Sequence, residues 1–432
     1  MPTTTITPPS SGTSTPTASS LTKSALSHPP SSALAPNSAP PGPAPLDASR
    51  LIIKPNPNPR EVPAPDDPVV ATSSVCTDHF LTCSWTEQGG WEAPEIKAYG
   101  PLELMPTSSV LHYATECFEG LKLYRGHDSL LRLFRPLHNC LRMSRSAARV
   151  ALPSFSPPEL EKLILALCAH DGPKWLPPSR KGKFLYVRPT LISDDPSLGV
   201  QAPKRALLFV ILTMFPDLSD PKALGGPAGE NGEEEVQGLR LLASKEDTIR
   251  AWPGGFGFAK LGANYGPSLL AQGEARKRGF NQILWLFGSE GYVTEAGASN
   301  FFVVWRTEEG ETELVTAGLE DKVILEGVTR GSLLELARER LKEIKVVERK
   351  YTMAEIVEAE REGRLIEAFA AGTAFFVAPV GLIEWKGERI RVPTGEGASG
   401  KYAALLRGWL SDIMYGGEEH EWGVVVAEKK KE

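Results

Sequence analysis

The sequence changes character near residue 65, and that break limits where a folded body can begin. The first 60 residues hold 14 of the chain's 37 prolines and a single acid, Asp47, and no Phe, Trp or Tyr precedes Phe80. Such a stretch buries too little apolar area to offset the entropy of ordering it. Residues 1–64 are therefore expected to form a disordered tail. The rival reading is a transit segment, because the stretch is poor in acids and rich in Ser. Its few bases, Lys23, Arg50, Lys54 and Arg60, lack an Arg-rich amphipathic pattern. The expected compartment is the cytoplasm, with the mitochondrion as the alternative.

Past the break, signals for strands and helices are dense. Segments 130–134, 184–188 and 205–215 read as strands, and so do 282–287, 300–304 and 314–316. Leu160, Leu163, Leu165, Leu167 and Cys168 recur at helical spacing, and a second helix is expected over 329–341. Between them, 216–238 is rich in Gly, Pro and Glu and has no periodicity, so it marks a boundary. The expected fold is α+β or mixed α/β, with no regular βαβ repeat that would build a barrel. A smaller α/β domain is expected over 65–215 and a larger one over 239–432, joined by the 216–238 loop.

Several classes of function fall away on composition. A net charge of −6 argues against binding held by nucleic-acid phosphates. No run approaches the ~20 apolar residues that span a bilayer. Five cysteines (Cys76, Cys83, Cys117, Cys140 and Cys168) show neither Cys-x-x-Cys nor Cys/His spacing, so neither a disulfide framework nor a metal site is expected. Gly395-Glu-Gly-Ala-Ser-Gly400-Lys401 imitates a phosphate loop, but Tyr402 stands where Ser or Thr must hold magnesium, and no buried strand leads into it.

Four other stretches could carry chemistry. Lys260 is the one lysine in Gly254-Gly-Phe-Gly-Phe-Ala-Lys260-Leu-Gly-Ala-Asn-Tyr265-Gly-Pro. Apolar neighbours favour its neutral, nucleophilic amine; spacing alone favours a turn lysine in water, because most lysines are solvated. Val293-Thr-Glu295-Ala-Gly sets a carboxylate ahead of an apolar strand, and Leu325-Glu-Gly327-Val-Thr329 opens a helix whose amides suit phosphate. Ala370-Ala-Gly372-Thr373-Ala374 is a turn of small residues. Each has an ordinary structural explanation when read by itself.

Taken in order, these stretches resemble the branched-chain amino-acid aminotransferases, fold-type IV enzymes that use pyridoxal phosphate. The resemblance spans roughly 77–414. It is carried by Leu111-His-Tyr113…Phe118-Glu-Gly-Leu-Lys, Leu133-Phe-Arg-Pro…Asn139…Arg142-Met, Tyr186-Val-Arg188-Pro and Pro196-Ser-Leu-Gly-Val. Ile249-Arg-Ala-Trp, Lys260-Leu-Gly-Ala-Asn-Tyr-Gly-Pro, Thr294-Glu295-Ala-Gly and Gly372-Thr-Ala complete it.

The resemblance implies a two-domain fold and a role for each matched residue. Lys260 bonds the cofactor and moves the substrate's Cα proton. Glu295 pairs with the pyridine nitrogen and Tyr265 with the phenolic oxygen. Arg142, Val328, Thr329 and Thr373 hold the phosphate; Thr329 replaces the valine more usual there. Tyr113 and the amides of Thr373 and Ala374 meet the substrate carboxylate. Phe118 and Tyr186 line the side-chain pocket, and Arg188 takes the distal carboxylate of glutamate. The implied reaction is ping-pong exchange between leucine, isoleucine or valine and 2-oxoglutarate, in a homodimer whose subunits approach each other's sites. A non-standard aliphatic substrate and another activity of the same fold, such as D-amino-acid transamination, are the alternatives. Animal relatives carry an oxidisable Cys-x-x-Cys after the Gly-Thr-Ala turn; Phe375 and Ala378 stand there instead.

Overall fold

The computed structural model describes residues 42–216, 236–374, 376–395 and 399–428. Residues 1–41, for which disorder is expected, and most of the expected linker (217–235) lie outside them.

Two sheets organise the chain. The first holds β1 (Ile52–Ile53), β2 (Cys76–Thr86), β3 (Gly90–Trp91), β4 (Glu95–Ala98) and β5 (Glu116–Phe118). It continues with β6 (Leu121–Arg125), β7 (Leu131–Phe134), β8 (Phe184–Ile192) and β9 (Arg205–Thr213). The second holds β10 (Leu239–Ala243), β11 (Gln282–Phe287), β12 (Tyr292–Ala296), β13 (Ser299–Arg306) and β14 (Thr312–Thr316). Then follow β15 (Lys345–Glu348), β16 (Leu365–Gly372), β17 (Phe376–Trp385) and β18 (Glu388–Arg391), while β19 (Gly423–Val425) returns to the first sheet beside β7. The helices are α1 (Val110–Tyr113), α2 (Pro136–Arg149), α3 (Pro157–Trp175), α4 (Ser268–Lys277), α5 (Val328–Arg340), α6 (Met353–Arg361) and α7 (Lys401–Tyr415).

The mixed α/β class matches the expectation, with two refinements. The second sheet runs β12-β11-β10-β17-β16-β13, and the β12–β13 pairing (Glu295↔Asn300, Ala296↔Ser299) closes those strands into a ring. A sequence reading keyed to βαβ units could not show that closure, because most of its pairs are antiparallel. The return of β19 also means that the chain's end completes the first sheet, and Arg125 is locked to Glu428 at 2.7 Å.

The expected tail ends sooner than residue 64. Within 42–64, Leu46 is buried, β1 pairs with β4 in parallel, and Ala48 N donates to Glu159. Asn56 N donates to His79 Nε2, which places the His79 proton on Nδ1, toward Asp171 Oδ1 at 2.7 Å. Arg60 donates to the Thr77 carbonyl and lies over the Tyr99 and Trp175 rings. Composition misses this segment because its partners are backbone groups and rings elsewhere in the chain. A chain cut at Pro65 would therefore expose part of the first core.

In α3 the buried stripe is Leu160, Leu163, Ile164, Leu167 and Cys168, while Leu165 turns partly outward. Each such leucine contributes ~1.5–3 kcal/mol on burial. These residues pack under the first sheet. A separate cluster joins the two sheets, with Tyr124, Phe134 and Phe184 of the first meeting Phe302, Phe369 and Leu406 of the second and its helices. The site opens along that junction.

Candidate active site

Lys260 sits between β10 and α4 on a backbone fixed from the first sheet. Its N–H donates to the buried Ser146 Oγ on α2 (2.9 Å), its carbonyl accepts from Phe118 N (3.1 Å), and Ala259 and Leu261 are buried on either side. Asn264 ties the turn by donating to the Phe256 and Ala259 carbonyls. The amine therefore points into the cavity, 3.4 Å from the Tyr265 hydroxyl and 5.1 Å from the Phe118 ring centre. Desolvation and the nearby Arg142 charge push the Lys260 amine below its ordinary pKa, while Glu119 opposes them. Burial lifts the Tyr265 phenol above its ordinary value.

Glu295 comes from β12 in the strand ring and is 2% exposed. Oε1 accepts from Asn300 Nδ2 (3.2 Å) and Leu325 N (3.1 Å), and Oε2 lies 2.7 Å from Arg250 Nη1. That ion pair is close without being aligned as a hydrogen bond, so Oε2 retains acceptor capacity with no donor aimed at it. Burial raises the Glu295 carboxyl pKa, against the pull of Arg250.

Arg142 on α2 is clamped by Glu119, with Nε to Oε1 at 2.7 Å and Nη2 to Oε2 at 2.8 Å; its Nη1 donates to the Glu326 carbonyl. Asn139 donates to the same Glu119. Burial alone would raise the Glu119 carboxyl, but Arg142 outweighs it and holds the carboxyl below its usual range. Three of the five guanidinium N–H groups are used, leaving two for a ligand. Removing either partner would leave a buried unpaired charge, costing ~3–5 kcal/mol. Beside this fork, α5 begins at Val328 and Thr329. A Cβ on Gly327 would lie 2.1 Å from Asn300 Oδ1, so only glycine lets the helix start this close.

Phe118, Tyr186 and Arg188 form the opposite wall. Tyr186 stacks on Phe215, and Arg188 donates to the Tyr186 hydroxyl (3.1 Å) with its guanidinium over the Phe118 ring at 4.7 Å. Arg188 Nε is buried without a hydrogen-bond partner. A Cβ on Gly120 would meet the Tyr186 hydroxyl at 2.0 Å. All of these residues, with Thr373 and Ala374 of the β16–β17 turn, line one cavity of about 490 Å³.

One expected site residue is not among the lining. Tyr113, at the end of α1, is 41% exposed, and its hydroxyl accepts from Gly199 N. Conversely, Glu119, Asn139, Arg250 and Asn300 enter the constellation without having been assigned roles from sequence. Glu119, Asn139 and Arg250 had a signal, since all three fall in matched stretches, with Asn139 one turn before Arg142. The Arg250–Glu295 approach spans 45 positions and has no local signature.

The false phosphate loop is also explained. Glu367 accepts from Tyr402 N (3.2 Å) and Ala403 N (2.7 Å), so a carboxylate already fills the start of α7. All five cysteines are buried; burial pushes Cys83 up to about 12 and also raises Cys117, Cys140 and Cys168 well above the ordinary thiol range. Phe375 lies outside the described residues, and Ala378 is buried in β17. Thiols kept protonated in this way react slowly with peroxide. Mild peroxide is expected to leave turnover nearly unchanged; strong inhibition reversed by reductant would contradict this.

The amine, the under-coordinated buried carboxylate oxygen and the arginine fork beside a helix start form three handles around one cavity. They fit a flat cofactor bearing a carbonyl, a basic ring nitrogen and a phosphate. The amino-transferase class IV family matches residues 116–383. A mitochondrial branched-chain-amino-acid aminotransferase of Schizosaccharomyces pombe is 43% identical over 388 residues, covering 89% of this chain and 86% of that one. A cytosolic one of Saccharomyces cerevisiae is 45% identical over 390 residues, covering 89% and 99%. The solved holo-form of the Thermobaculum terrenum enzyme shares the fold with a TM-score of 0.60 at 23% identity, covering 81% and 98%. By the extent of those matches, the chain belongs to the class IV aminotransferases.

Proposed function

We propose that the chain exchanges amino groups between leucine, isoleucine or valine and 2-oxoglutarate, with pyridoxal 5′-phosphate as cofactor. The observation that carries this reading is the Lys260 amine, held neutral-leaning by desolvation and facing Tyr265 in a cavity closed by Glu295 and Arg142. The cofactor, when bound, supplies the carbonyl that accepts the amino group and the ring that takes up the electron pair left at Cα. Lys260 Nζ anchors it and then carries the proton removed from the substrate Cα. Glu295 Oε2 accepts from the ring nitrogen and keeps it protonated. The two free N–H groups of Arg142, the amides of Val328 and Thr329 and the Thr373 hydroxyl hold the phosphate. Tyr265 binds the phenolic oxygen, and the Thr373 and Ala374 amides orient the substrate carboxylate.

Phe118 and Tyr186 offer aromatic walls to a branched aliphatic group, and Arg188 between them meets the second carboxylate of 2-oxoglutarate. Arg188→Leu is expected to raise KM for 2-oxoglutarate about tenfold or more, the loss of a charge-assisted bond, with KM for leucine little changed. Equal effects on both substrates would remove Arg188 from this role. The reading as a whole is tested by incubating purified full-length chain with leucine, 2-oxoglutarate and pyridoxal phosphate. Glutamate should form, with parallel lines in double-reciprocal plots; no glutamate from any branched donor would overturn it.

Exposed apolar side chains support a homodimer. Leu270 is 76% exposed and Val200 94%, with Leu269, Leu198 and Leu111 also bare. Through the Gly199–Tyr113 bond, the 196–200 loop and α1 present Leu198, Val200 and Leu111 together with Tyr113. A second copy covering it would bring Tyr113 to a neighbouring site. Sedimentation at the mass of two chains is expected, and a monomer at micromolar concentration would refute the dimer. Among the described residues no helix is long and apolar enough to cross a membrane. The few bases in the first 60 residues favour the cytosol over the mitochondrion, which imaging the full chain fused to a fluorescent protein decides.

A further inference from the structure

Arg250 has no part in the roles above, yet it stands against a deeply buried acid of the site. Its Nη1 lies 2.7 Å from Glu295 Oε2 and 3.3 Å from the Val323 carbonyl, and the two side chains are 12% and 3% exposed. The other oxygen, Oε1, is held by Asn300 and Leu325. A carboxylate so far from water holds its proton at neutral pH unless a cation stands beside it. The charged and titratable groups that face Glu295 are Arg250, Lys260, Arg142 and Tyr265. Of these, Lys260 is itself pushed toward neutrality, Tyr265 is an uncharged phenol, and Arg142 is committed to Glu119. Arg250 alone is both adjacent and unable to give up its charge, since a guanidinium does not release its proton in proteins.

Resting on the reading that Glu295 meets the ring nitrogen, we propose that Arg250 is a positioning residue that keeps Glu295 ionised before the cofactor arrives. It does so through an ion pair whose N–H is not aligned on Oε2, which leaves that oxygen open to accept from the ring. An aligned Arg–Glu bond would take one of the two acceptor positions on that oxygen; an absent arginine would leave a protonated acid with no negative charge to offer. Arg250 thus supplies the charge without taking the acceptor.

Proton balance gives the consequence. With Glu295 ionised, the proton shared by ring and carboxylate after binding comes from solvent or from the cofactor's own ring. In Arg250→Met the carboxyl already holds a proton and transfers it, so the variant takes up one proton fewer per site on binding. Difference infrared spectra of the full chain without cofactor read the first state. At pH 7 Arg250→Met should show a protonated carboxylic-acid carbonyl band that disappears when Glu295→Gln is added. Wild type and Arg250→Lys, which retains the charge, should lack the band. Calorimetry of pyridoxal phosphate binding in two buffers of different ionisation enthalpy reads the missing proton.

Arg250→Gln, shorter and polar, replaces the Met variant if that one does not fold, with thermal melting as the check. A Glu295 carboxyl that stays ionised at pH 7 in the neutral variants overturns the proposal, as does a wild-type acid band that Glu295→Gln removes, or equal proton uptake. The infrared measurement involves no cofactor, so a failed Glu295–ring pairing, which would appear instead in the Glu295→Gln kinetics, is distinguishable from it.

Discussion

Lys260→Ala is expected to lower turnover of leucine with 2-oxoglutarate by about 10³–10⁴-fold while the protein still binds pyridoxal phosphate without a covalent bond. Two losses combine. The cavity loses the only amine near Tyr265 among the described residues, which anchors the cofactor, and no other side chain there can carry the Cα proton at neutral pH. Glu119 and Glu295 both feel the Lys260 charge, but Glu119 is saturated by Arg142 and Asn139, and Glu295 is paired with Arg250 and held by Asn300 and Leu325. Fold should be intact, because the Lys260 backbone contacts to Ser146 and Phe118 do not involve its side chain. Steady-state rates with a melting curve check both points; near-normal turnover would remove Lys260 from the chemistry.

Glu295→Gln is expected to retain cofactor colour and slow the Cα proton step by about a hundredfold, of the order found when one charged or hydrogen-bonding stabiliser is removed. The amide keeps the shape, and its oxygen can still accept from Asn300 and Leu325. What it loses is the negative charge that holds a proton on the ring. Substituting deuterium at leucine Cα and following one half-reaction isolates this step. An unchanged single-turnover rate would show that the ring nitrogen lies elsewhere. The two substitutions also differ in kind: the first removes the reacting amine, and the second weakens only the electrostatic support behind it.

Residues whose function is local were legible in the sequence. Lys260 stood out as one amine among small and apolar neighbours but drew its role from the ordered resemblance, and the 325–330 stretch stood out by a glycine opening a periodic helix. The stripe in α3 followed from its 3.6-residue period, apart from Leu165. Strands β8, β9 and β11 followed from their apolar runs. Such features depend on neighbours within one or two turns of chain, which is the range over which pattern and propensity act.

What remained illegible depends on pairs far apart in sequence. The closing of six strands by β12 and β13 is a matter of register, and no strand alone records which edge it meets. Segment 42–64 reads as tail by composition, yet it docks through Asn56, Arg60 and Leu46 because β2, β4 and α3 supply ready partners. Tyr113 sits in a matched stretch, but its place depends on how α1 meets the 196–200 loop. The sequence by itself determined the mixed α/β class and, through the resemblance, proposed Lys260, Tyr265 and Glu295 for the site. Only the tertiary structure decided that Glu119 fixes the Arg142 fork and that Arg250 stands against Glu295, because burial and ion pairing are properties of packed neighbours and not of position along a chain.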